Sequence, residues 1–191
     1  MKTPHYTSGL FAVFFLTTTP GVSQVAAPSP AAVPAATPSA TPAKEDPAVP
    51  VPRLNMVGKD GRPYMMVRHL AYVERVKRSP CPEIVCFGDS ITEWWFDWQN
   101  HYGKYGAVNF GIGGDKVQNL RWRIYNGEME MKPKVAVVLI GTNNINDNPD
   151  RIAAGIIKVV EAIQEKSPDT KILLLGIFPR GWDANEYRWY A

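Results

Sequence analysis

Four short apolar runs constrain this chain more than any other feature of it. Residues 83–87 (EIVCF), 107–110 (AVNF), 135–140 (VAVVLI) and 171–178 (KILLLGIF) are almost continuously apolar. A strand with one face in water alternates apolar and polar side chains, whereas a run without alternation belongs to a strand covered on both faces. The segments between these runs have helical spacing instead. In 64–77, Met66, Leu70, Val73 and Val76 fall near one face, and 91–99 and 116–125 read as two shorter helices. Asn148-Pro149-Asp150 supplies a cap, a first-turn proline and a first-turn acid. The helix it opens runs to about Lys166, with Ile152, Ile156, Val160 and Ile163 on one side. Strands alternating with helices predict an α/β fold, a parallel sheet between two helical layers.

The folded part is expected from about Arg53 onward, as one domain over 53–191. Ahead of it, Lys2 and the apolar stretch Leu10–Leu16, followed by small residues at Gly21 and Ser23, predict an export signal over 1–23. The apolar stretch is far below the roughly 20 residues of a membrane-spanning helix. A buried N-terminal strand or helix is the alternative, disfavoured by the proline-rich tract that follows. Residues 24–52 are mostly Ala, Pro, Ser and Thr, too poor in bulky apolar side chains to fold, and predict an extended tether. The protein is therefore expected to be secreted or periplasmic. Its formal charge of +3 comes without a Lys/Arg block, which gives nucleic-acid binding no electrostatic support. Cys81 and Cys86 are the two cysteines, with no histidine at a metal-ligand spacing, so neither a disulfide between them nor a metal site is expected. No cofactor is expected either: a dinucleotide fingerprint would need glycine where Lys116 stands, and there is no P-loop.

In a parallel sheet, ligands bind outside the carboxyl ends of the strands. Gly88-Asp89-Ser90 follows the first run, Gly111-Ile112-Gly113-Gly114-Asp115 the second, and Gly141-Thr142-Asn143-Asn144 the third. One edge thus receives a hydroxyl, glycine N–H groups and an amide N–H. Acyl transfer uses this set, a nucleophile with donors aimed at the oxyanion of a tetrahedral intermediate. Each piece also has an ordinary reading: a helix cap at Asp89 or Ser90, a glycine turn, a loop.

The stretches FGDSIT (87–92), NFGIGGD (109–115) and GTNN (141–144) resemble the first three sequence blocks of the SGNH (GDSL) hydrolases. With NGE (126–128) and FPRG (178–181), the likeness is greatest to the catalytic subunits of platelet-activating-factor acetylhydrolase and their bacterial relatives. It covers roughly residues 65–182. The resemblance implies a flavodoxin-like three-layer α/β/α fold and metal-free hydrolysis of small acyl esters. It also implies Ser90 as nucleophile, with oxyanion donors from the Ser90 N–H, the Gly114 N–H and the Asn143 side chain. The partner it implies is a small ester, an acetylated carbohydrate or lipid among the candidates.

The family's fourth block, an Asp-x-x-His that supplies the catalytic base and its orienting acid, has no counterpart before Ala191. The sequence is therefore expected to be C-terminally truncated, with little activity. His5 falls in the signal, and His69 and His101 are expected at the surface or at helix ends. The alternative function is a non-catalytic exported module that binds an acetylated glycan or lipid. Trp94, Trp95 and Trp98 are expected to pack their helix against the sheet, a sugar-stacking platform being the other reading. The last run is expected to present an exposed edge through which chains self-associate. Charge at Leu173 or Leu175 is not expected to cure this, because those side chains can face the core.

Overall fold

The computed structural model describes residues 45–78 and 81–178. The expected export signal, the tether up to residue 44, and the chain from 179 lie outside the described residues. Four strands, β1 (Ile84–Gly88), β2 (Ala107–Gly111), β3 (Val135–Leu139) and β4 (Lys171–Leu174), pair in parallel in the order β2-β1-β3-β4. Cys86 of β1 stands opposite Asn109 on one side and Val137 on the other. This is the expected α/β fold. It places the ends of β1, β2 and β3, the strands followed by glycine, side by side.

One face of the sheet carries Val85, Phe87, Val108, Phe110, Ala136 and Val138, all in the main apolar core. Three helices cover it: α1 (Tyr64–Arg78), α4 (Val117–Arg123) and α5 (Pro149–Lys166), which contribute Met65, Tyr72, Leu120, Ile152, Val159 and Ile163. Burying a side chain such as Phe87 or Ile163 contributes about 1.5–3 kcal/mol each. Tyr72 stacks on Phe110 with ring centroids 4.4 Å apart. Its hydroxyl donates to the Gly111 carbonyl at 2.7 Å, so α1 is attached both to the core and to the end of β2. At the start of α5, the Asn148 side chain accepts from the Asp150 N–H, the cap that the sequence proposed.

The opposite face carries less. Ile84, Cys86, Val137, Leu139, Leu173 and Leu175 line an apolar cavity of about 310 Å³ with Trp95, Trp98, Tyr102 and Tyr105. The single helix expected over 91–99 is two short ones, α2 (Ser90–Glu93) and α3 (Trp98–Tyr102). They are separated at Asp97, which has φ +58, a left-handed conformation that a helix cannot contain. The break sorts the tryptophans. Trp95 and Trp98 join Tyr102 in an aromatic cluster over the sheet, as expected, but Trp94 is 70% exposed and packs no helix against the sheet.

The described part of the expected tether lies along the domain. Gln118 Nε2 donates to Glu45 at 2.8 Å, Asn119 Nδ2 to the Val51 carbonyl at 3.0 Å, and Arg121 to the Ala48 carbonyl. Docking therefore begins at least eight residues before Arg53, through polar side chains of α4, two of which satisfy backbone carbonyls of the segment.

Candidate active site

The turn from β1 into α2 is tight because of Gly88. A Cβ there would overlap the Thr92 side chain and the Leu139 carbonyl. Asp89 is buried, and its Oδ1 accepts from the Ile91 N–H at 2.9 Å. Asp89 is thus the helix cap, and Ser90 becomes the first residue of α2 at the carboxyl edge of the sheet. The second turn presses against this helix: a Cβ at Gly111 would overlap the Glu93 backbone, and one at Gly113 would lie 3.7 Å from Ser90 Cβ. In the third turn, Gly141 has φ +123, which brings Thr142–Asn144 back toward the second turn. There the Asn143 amide donates to the Asp115 carbonyl at 2.9 Å. Ser90 and the turns bearing Gly114 and Asn143 are therefore brought together on one edge.

Glu93, which no sequence motif marked, joins these turns. Its Oε2 accepts from the Gly113 N–H at 2.6 Å, and its Oε1 from the Tyr64 hydroxyl at 2.7 Å. Arg68 Nε lies 2.8 Å from the same Oε1. With the Gly113 amide so engaged, Gly114 (φ +81) carries the next amide along the turn. Burial, and then the adjoining Glu93, push the Tyr64 phenol up to about 12, so it stays a hydrogen-bond donor at neutral pH.

Behind the second turn runs a line of buried charge. Arg53 Nη2 donates to Asp115 Oδ1 at 3.3 Å, and Arg123 Nε stands 2.8 Å from Asp115 Oδ2 without the alignment of a hydrogen bond. Arg123 Nη1 also donates to Glu128 Oε2 at 2.8 Å, and Glu128 Oε1 meets His69 Nδ1 at 2.8 Å. Burial pushes Asp115 up to about 6, against the opposing pull of Arg123 and Arg53.

His69 is a correction to the sequence reading. It is 3% exposed, paired with Glu128 and edge-on to Trp122, where a surface or helix-end histidine was expected. The apolar spacing of α1 could not show this, because the partner lies 59 residues away. His101 is exposed, with Nδ1 2.9 Å from the Asp97 carbonyl. Among the described residues neither histidine hydrogen-bonds Ser90. No group of three or more potential metal ligands occurs among the described residues, and no helix there is long and apolar enough to cross a membrane.

Comparison with known proteins points to one family. Residues 86–191 match the sequence model of the GDSL-like Lipase/Acylhydrolase family. Human platelet-activating factor acetylhydrolase IB subunit alpha1 is 34% identical over 149 residues, covering 76% of this chain and 63% of that protein. The bovine alpha2 subunit is 40% identical over 111 residues, 56% of this chain and 48% of that protein. The chain thus spans less than two thirds of the length of these relatives. A GDSL-like lipase from Bacteroides thetaiotaomicron superposes with a TM-score of 0.51 at 22% identity, over 64% of this chain and 62% of that one, a likeness of fold.

Proposed function

The chain belongs to the GDSL-like lipase/acylhydrolase family, and from that premise we propose that it is a serine ester hydrolase acting on acetyl or other short-acyl esters. One observation carries the reading. The strand ends that deliver Ser90, Gly114 and Asn143 are held against one another by Glu93–Gly113 and Asn143–Asp115 hydrogen bonds.

In the proposed reaction, Ser90 Oγ attacks the ester carbonyl carbon and gives its proton to a base. The carbonyl electron pair moves onto oxygen, where the N–H groups of Ser90 and Gly114 and the Asn143 amide receive it. Collapse breaks the bond to the alcohol, which leaves with the proton. Water then releases the acyl group from Ser90 as the acid, and the serine regains its proton. Since neither described histidine occupies the place of the base, it is proposed to come from outside the described residues. Trp94, exposed beside Gly113 and hence beside Ser90, provides an apolar wall for an acetylated carbohydrate or lipid.

The test is hydrolysis of 4-nitrophenyl acetate, with and without added imidazole as a diffusible base, by wild type and Ser90→Ala. Ser90-dependent turnover in either condition is expected. Turnover indifferent to Ser90 in both, with an acetylated ligand still bound, would establish the non-catalytic binding module instead. Export is part of the same proposal. The mature protein is expected to begin near Gln24, as read by mass spectrometry, and an intact Met1 form confined to the cytoplasm would refute it.

A further inference from the structure

The Arg53 guanidinium donates from Nη2 to the Gly113 carbonyl oxygen at 2.6 Å. That carbonyl shares a peptide plane with the N–H of Gly114. In a trans peptide the C=O and N–H of one unit point in opposite directions, and the plane turns as a rigid body. A group that grips the Gly113 oxygen therefore sets the direction of the Gly114 N–H. The grip is charge-assisted, and drawing electron density toward the oxygen makes the N–H at the far end of the same peptide a better donor.

We propose that Arg53 is the positioning residue for the Gly114 amide, orienting and polarising the oxyanion donor from the far side of its peptide plane. The inference rests on the hydrolase reading above. Three observations support it. First, Arg53 is itself held: its side chain is 10% exposed, lies against Asp115, and Asp115 is backed by Arg123, Glu128 and His69. Second, the guanidinium occupies the space over Gly114, where an added Cβ would lie 3.3 Å from Arg53 Cζ. A side chain there would press the guanidinium back by a few tenths of an ångström, and φ +81 favours glycine independently. Third, the neighbouring backbone groups of this turn are already fixed. Gly111 O accepts from Tyr72, Ile112 N–H donates to Gly88 O, Gly113 N–H to Glu93, and Asp115 O accepts from Asn143. The peptide between Gly113 and Gly114 is the remaining joint of the turn, and Arg53 locks it. The docked segment 45–53 thereby acquires a role in the chemistry.

The experiment has two arms. In the first, ¹H–¹⁵N spectra of wild type, Arg53→Gln and Arg53→Lys follow the Gly114 amide. In Arg53→Gln its proton should move upfield and exchange with solvent about tenfold faster, while amides of β3 stay unchanged. Arg53→Lys should recover part of the shift, and millimolar guanidinium should restore it in Arg53→Ala. In the second arm, Ser90-dependent hydrolysis of 4-nitrophenyl acetate in imidazole should lose on the order of 10²-fold in kcat in Arg53→Gln, with KM changed by less than about twofold. A wild-type Gly114 amide in folded Arg53→Gln overturns the proposal, as does an altered amide with undiminished kcat. If wild type shows no Ser90-dependent turnover, the hydrolase reading fails, and the first arm alone decides whether Arg53 sets this amide.

Discussion

Glu93 Oε2 accepts a hydrogen bond from the Gly113 N–H at 2.6 Å, tying the helix that begins at Ser90 to the turn that carries Gly114. The same carboxylate takes the Tyr64 hydroxyl and faces Arg68, and its side chain is 5% exposed. Glu93→Ala would leave a part-buried hydroxyl, a backbone N–H and part of a guanidinium without their acceptor. A loss of about 3 kcal/mol is expected in urea unfolding. Glu93→Gln, which keeps one acceptor oxygen, should lose less. Equal stability in all three proteins would mean that the two turns are not coupled through this side chain.

Asp115 gives the fold a pH dependence of definite sign. Its carboxyl is held up to about 6, against an ordinary 3.8, because burial outweighs Arg123 and Arg53. The folded state therefore keeps the proton at a pH where the unfolded chain has released it. The resulting stabilisation is complete below about pH 4 and lost as pH rises through about 6. A shift of this size corresponds to about 3 kcal/mol. Urea unfolding of wild type and Asp115→Asn across this range should show wild type losing ground to the variant by up to that amount. A difference that stays flat, or grows in favour of wild type, would refute it.

Asn143 is expected to matter for rate more than for folding. Its amide donates one hydrogen bond, to the Asp115 carbonyl, and Asn143 itself is only half-buried. Asn143→Ala should cost about 1 kcal/mol of stability. Ser90-dependent ester turnover should fall by about 10²–10³-fold, the usual loss for one oxyanion donor. A fall of that size in the thermal midpoint-corrected rate, with wild-type KM, separates the two effects. Unchanged turnover would remove Asn143 from the oxyanion site.

β4 ends the sheet, pairing with β3 alone among the described strands. Leu173 and Leu174 are 52% and 48% exposed. An apolar edge of this kind invites pairing with another chain. Sedimentation velocity should show association that grows with concentration. Leu173 lines the apolar cavity yet is half-exposed, so, against the sequence expectation, a charge there is predicted to reach water. Leu173→Lys should shift the protein toward monomer. A wild-type chain that is monomeric throughout would refute the edge as an interface.

The sequence made the sheet legible because local pattern determines it. VAVVLI over 135–140 has only one reading in an α/β frame, and β3 occupies Val135–Leu139. Asn148-Pro149 marked the start of α5 because capping is chemistry between neighbours in the chain. The turns bearing Ser90, Gly114 and Asn143 were visible for the same reason: each directly follows its strand. What stayed hidden depends on distant partners. Arg53 meets Gly113 across 60 positions and His69 meets Glu128 across 59, and no spacing rule connects such pairs. The break at Asp97 was obscured because the run of aromatic residues around it suits a helix as well as a turn.

The docking of residues 45–53 also fixes how a pull on the amino-terminal side would enter the molecule. The segment is fastened along its length by Glu45, Asp46, Ala48, Val51 and Arg53, each to a separate group on α4, α5 or the Gly113 turn. A force along the chain would reach these attachments one after another, like a strip being peeled, and would spare the sheet until the last of them gave way. That last attachment is Arg53. Tension would thus be reported at the Gly113–Gly114 peptide before any strand was loaded, making the turn a mechanical fuse between residues 45–53 and the fold behind them.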